Sequence, residues 1–162
     1  MDSIIKNLDL NAKGMWLSIS LVIILLLYIL IMPKKEINWR EVYITIGVIG
    51  LLTWISDNIF AGFLDLVDFG HPKLSGIGEL LTYSFIPSSL AVIYLNYLNN
   101  SNKWRLVIAF VVISVLIEWA VVKVGYMELK GWNHLFSIPI FLFVYSYFLP
   151  LHLKIIKCYK DN

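Results

Sequence analysis

Five runs of about twenty predominantly apolar residues leave this chain little choice of solvent. Crossing a hydrocarbon core takes roughly 20 such residues, and segments 15–32, 42–60, 77–98, 104–124 and 132–154 each qualify. In lipid every backbone N–H and C=O must be paired within the protein, which selects helices over open strands. Of the 162 residues, 59% are hydrophobic and 15% charged, against about 25% charged in ordinary soluble domains. A soluble domain of this size has no interior large enough for that much apolar surface. The expectation is one all-α integral membrane domain over 1–162, a helical bundle of five transmembrane helices. A short interfacial or re-entrant segment joins helices two and three. A four-span arrangement, with the second segment re-entrant, is the alternative.

The connections sharpen this. Residues 33–40, 99–103 and 125–131 are short links. The longest, 61–76, reads AGFLDLVDFGHPKLSG. Its apolar residues interleave with Asp65 and Asp68, as in an extra helical turn lying in the interface or a continuation of span two. Gly70 and Pro72 then stop it. The first apolar run is too long for a signal-peptide core, and no small-residue cleavage site follows it, so it reads as an uncleaved span.

Lys and Arg set orientation. With the amino terminus outside, the inner face holds Lys34, Lys35, Arg40, Lys103, Arg105, Lys154, Lys157 and Lys160; the outer holds Lys6, Lys13, Lys73, Lys123 and Lys130. Eight against five favours a cell-membrane protein with its amino terminus out and its carboxyl terminus cytoplasmic. Trp16, Trp39, Trp104 and Trp132 open spans and read as interfacial anchors. Trp54 and Trp119 lie within spans and read as packed in the bundle.

Carboxylates at membrane depth are costly, so they face a protein interior, a partner or water. Asp57, Glu79 and Glu118 are such groups, and the span order puts all three at one rim. From Asp57 to His134 that rim carries six carboxylates against three ammonium groups, a local charge of −3, while the opposite rim carries +5. Glu118 stands seven residues before Gly125, about 10 Å down a helix. For Glu118 the structural account is a bond to Trp119, Lys123 or a Tyr or Ser of another span; the functional account is a ligand, ion or proton site. Asp57 at a span end is also explained as an interface group, and Glu79 as a first-turn acid complementing the helix dipole. The candidate ligand-binding residues are Glu118, Asp57 and Glu79, with Tyr126, Trp132 and Ser137 around them.

Asp65, Asp68 and His71 fall at i, i+3 and i+6, one face if the stretch is helical. Carboxylates with an imidazole suit several metals, and interfacial polarity gives the same pattern. Pro87 and Pro139 each free a carbonyl one turn earlier, at Tyr83 and Leu135. Ser84, Ser88, Ser89 and Ser137 are the available partners. No zinc pattern, phosphate-binding loop or hydrolase motif is present, and no basic block suits nucleic acid. The single Cys158 allows no intramolecular disulfide.

Glu118, the Gly125-Tyr126 pair, Trp132 and the Ser137-x-Pro139 that follows it make up a pattern over the second half of the chain. In it the sequence resembles an uncharacterised family of small multi-pass membrane proteins of spore-forming Gram-positive bacteria. Asp57 matches an acidic position late in that family's second span. The resemblance covers about two thirds of the chain and excludes 61–76. It implies membrane topology and a bacterial cytoplasmic membrane, and it brings no catalytic assignment.

The leading functional expectation is a non-enzymatic protein whose acidic, aromatic-lined cleft binds a partner, cation or small polar ligand. The rivals are a subunit of a cation or proton transporter or channel, and a membrane-embedded lipid-modifying enzyme. The expected partners are the lipid bilayer and a homo-oligomer or another membrane protein. No cofactor is named by any motif.

Overall fold

The computed structural model describes residues 12–70 and 77–158. Among the described residues five helices form the bundle: α1 (Met15–Ile31), α2 (Trp39–Phe63), α3 (Ile77–Tyr97), α4 (Lys103–Lys123) and α5 (His134–Lys157). The last four are each long and apolar enough to cross a membrane, and α1 is a shorter apolar helix of 17 residues. The chain is a helical membrane bundle. Its outward surface is correspondingly apolar, with Ile31, Tyr43, Phe63, Leu135 and Ile155 among the exposed large side chains.

Helix α3 is the centre. Val92, Tyr94, Leu95 and Asn96 expose no surface, and the helix packs on both α1 and α2. The Tyr94 hydroxyl donates to the Tyr145 carbonyl at 2.6 Å, and the Tyr145 hydroxyl bonds Ser114 Oγ at 2.9 Å. That pair of bonds ties α3, α5 and α4 together at mid-depth. The rings of Tyr94, Phe110 and Tyr145 pack around it with centroids 5.0–5.6 Å apart. At the basic rim the buried Asn96 amide donates to the Pro33 carbonyl, and its oxygen accepts from the Lys35 N–H, both at 2.9 Å. Asn38 and Glu41 form a capping box that starts α2.

Two wide π turns follow from proline. Leu81–Phe85 precedes Pro87, and Val144–Phe148 precedes Pro150. A proline cannot donate to the carbonyl four residues back, and widening the turn before it relieves the clash. Pro150 was not singled out in the sequence. Neither Tyr83 nor Leu135 receives a serine hydroxyl as expected: Ser88 Oγ donates to the Ser84 and Phe85 carbonyls, and Ser84 Oγ to the Gly50 carbonyl of α2.

The 61–76 connection departs from expectation in part. Helix α2 does continue, through a π turn at Asn58–Phe63, but the chain then turns at Asp65, whose φ is 50°. A short strand β1 (Val67–Phe69) follows and pairs antiparallel with β2 (Met127–Leu129), Val67 opposite Leu129. Asp65 lies in that turn and Asp68 in the strand, so the two do not share a helical face; His71 lies outside the described residues. Trp54 and Trp119 are each 48% exposed, so they face the lipid side and are not packed within the bundle. Long apolar runs carry no marker of which face turns inward, because lipid and protein interior are equally apolar.

Candidate functional site

The rim where α2 and α4 end and α3 and α5 begin is stitched by backbone. Helix α4 closes on a Schellman motif: the Tyr126 N–H reaches the Val121 carbonyl and the Gly125 N–H the Val122 carbonyl, with Gly125 at φ 78°. The chain then runs straight into β2. The Gly70 N–H bonds the Tyr126 carbonyl, and the Lys130 and Gly131 N–H groups share the Leu66 carbonyl. The Lys130 ammonium bridges Asp65 at 2.7 Å and Asp68 at 2.8 Å. Asp65 first, then Asp68, holds that ammonium above the ordinary lysine range. Both carboxylates are thus committed to a lysine. Among the described residues no three His, Cys, Asp or Glu side chains are grouped to hold a metal ion.

Behind this rim lies a cavity of about 310 Å³. Its wall follows α5 from Ser137 to Leu149, twelve residues or about 18 Å of helix. The deep part is apolar, with Ile49, Leu90, Ala91, Phe141 and Leu149. Its hydroxyls there, Ser114 and Tyr145, are bonded to each other. The rim end is walled by Asp57, Glu118, Tyr83 and Trp132. Among the described residues, Asp57 and Glu118 are the only charged side chains in the wall.

Each acid has its own support. Glu118 Oε1 is 2.8 Å from His134 Nδ1, and its side chain is 11% exposed. This is not the Trp119, Lys123, Tyr or Ser bond expected from sequence. The imidazole is the first residue of α5, so the bond also sets the spacing of α4 and α5 at the rim. Asp57 is 3% exposed, and its Oδ1 has no hydrogen-bond partner. Around it stand the Tyr83 hydroxyl and the Glu79 carboxyl. Tyr83 lies in the electrostatic field of Asp57, Glu79 and Glu118 together.

Of the sequence candidates, Asp57, Glu118, Trp132 and Ser137 line the cavity. The Trp132 indole N–H donates to Ser137 Oγ at 2.9 Å, and its ring rests against Phe60 and Phe136. Glu79 stands beside Asp57, outside the lining. Tyr126 is 4% exposed and packs with Met15, Val67, Phe69 and Val121 as a floor under the rim. Sequence reasoning missed Tyr83 and His134. A signal for Tyr83 existed: it follows Glu79 by four residues, one turn along the same helix face. Nothing in the linear spacing pairs His134 with Glu118, since their approach depends on the α4–α5 turn. Comparison with family models, curated proteins and solved structures finds no match for this chain.

Proposed function

We propose that this chain is a non-enzymatic, multi-pass binding protein of a bacterial cell membrane. Its ligand is a small amphiphile, whose tail occupies the apolar cavity and whose polar head meets Asp57 and Glu118 at the rim. One observation carries the reading: a long apolar cavity ends at two inward carboxylates, one with an unpartnered buried oxygen. At about 310 Å³ it sits at the small end of ligand pockets, roughly 300–1,000 Å³, which suits one chain better than the two of a phospholipid. The distribution of Lys and Arg supports an outward acidic rim, with α1 as a fifth span. The test is saturable binding of tritiated dodecanol to the protein in lipid nanodiscs, against empty nanodiscs. One molecule bound per chain is the expected result; uptake identical to empty discs rejects the reading.

A second reading, a proton- or cation-conducting subunit, is favoured by one observation. Polar side chains turned inward recur at three depths: buried Asp57 with the partly buried Glu118, then Ser114 with Tyr145, then Thr45 bonded to His152 at 3.1 Å. The binding reading expects proteoliposomes to show no flux driven by pH or voltage. A flux above protein-free vesicles makes conduction the better account.

A further inference from the structure

The chemistry of the head group can be taken further, and this step rests on the amphiphile reading above. We propose that the cavity selects a single-chain amphiphile with a cationic amine head, the ammonium seated against Asp57 and Glu118 and the chain running toward Leu149.

Both charged wall residues are acids, and Glu79 adds a third carboxyl beside Asp57. The bases described at this rim are engaged elsewhere or stand apart. Lys130 is held by Asp65 and Asp68. Lys123 lies over the Trp119 ring, 4.5 Å from its centroid. Lys13 extends over Gly125 at the surface. His134 meets Glu118 through one oxygen, Oε1, while the neighbours of Asp57 are a tyrosine hydroxyl and a second carboxyl, so the pair of acids there shares a proton and still keeps a negative charge. A buried acidic excess is stabilised by an arriving cation and repels an anion.

The polar atoms on offer agree. An ammonium brings three donors and no acceptor. Asp57 Oδ1 is a buried acceptor without a donor. The Trp132 indole N–H is already given to Ser137, so it is not available to a carboxylate or phosphate head. What Trp132 presents, with Phe60 packed 5.1 Å away, is aromatic surface at the mouth, which also suits a cation. A hydrated metal ion fits less well, because the deep wall is apolar and its Ser114 and Tyr145 hydroxyls are bonded to each other.

The experiment is competition. Protein in nanodiscs is loaded with tritiated dodecanol and challenged with dodecylamine, dodecanol or lauric acid at neutral pH, with empty nanodiscs as the correction. Dodecylamine is expected to displace the label at a concentration roughly tenfold or more below that of dodecanol, the margin between a charge-assisted and a neutral hydrogen bond. Lauric acid is expected to be the weakest competitor. In Glu118→Gln and in Asp57→Asn the amine-to-alcohol ratio falls toward one. Two variants are used because either carboxyl also supports the rim. If dodecanol binds saturably and the amine is no better, the head-group inference is overturned while the amphiphile reading stands. If the ratio persists in both variants, the carboxylates are not the receptor and the inference fails. If no alkyl compound binds above empty discs, the reading beneath it fails as well.

Discussion

Replacing Ala91 with phenylalanine is expected to abolish ligand binding while leaving the protein folded. Ala91 lies on the central helix, 2% exposed, and contributes to the deep apolar wall of the cavity. A benzyl group there points into space that already exists: a dry cavity of about 150 Å³ accommodates benzene, and this one is about 310 Å³. The added ring gains dispersion contacts with Leu90, Phe141 and Leu149, so thermal stability in detergent should be unchanged or raised, by about 0.5–2 kcal/mol. The tail of any ligand loses the same space. Saturable dodecanol binding should weaken by at least about 100-fold, which is about 2.7 kcal/mol. Equilibrium binding in nanodiscs and a melting curve on the same sample read both halves. Full binding in a folded Ala91→Phe protein means that the ligand does not use this cavity. A protein that melts much earlier means that the wall around Ala91 is already closed.

The cavity combines features that run length dictates with features that it does not. The apolar runs fall within a few residues of the five helices of the described residues, because the bilayer sets their length. The order of the spans then put Asp57, Glu79 and Glu118 at one rim, and in the structure Asp57 and Glu118 line one cavity with Tyr83 while Glu79 stands beside Asp57. What hydropathy cannot encode is rotation. A helix in lipid is apolar on every side, so its inward face is chosen by polar pairs and small residues and not by an apolar stripe. That is why Trp54 and Trp119, each mid-helix, turn out to be half exposed, and why the Glu118–His134 bond was not foreseen. The strand pair escaped for a different reason. Val67-Asp68-Phe69 is too short to show an alternation, and its mate Met127-Glu128-Leu129 lies nearly sixty residues away. Its register depends on where α4 stops, and the Schellman turn at Gly125 decides that.

The same rim contains the position at which a single methyl group should cost most. Gly14 precedes α1 with φ 79°, a left-handed conformation in which a side chain is strained. It also abuts the end of α4. A Cβ there would stand 2.7 Å from Val124 Cγ2, 2.9 Å from the Val124 carbonyl oxygen and 3.0 Å from Tyr126 Cβ. The valine methyl can swing aside, but the carbonyl belongs to the Schellman turn and cannot move without opening it. Backbone strain and overpacking each cost about 1–3 kcal/mol, so Gly14→Ala should destabilise by on the order of 4 kcal/mol. Gly47 supplies the control. It sits in the interior of α2, and a Cβ there meets nothing within 4 Å; Gly47→Ala should be neutral or stabilising by up to about 1 kcal/mol. Melting curves of the two variants in one detergent should therefore diverge in opposite directions from the parent. Because Met15 and Tyr126 pack with Val67, Phe69 and Val121, which line the cavity, the Gly14→Ala protein should also lose dodecanol binding at temperatures where it still holds its helical circular dichroism. If Gly14→Ala instead melts with the parent, α1 is not seated on the α4 turn, and the floor beneath the three carboxylates must be built by other residues.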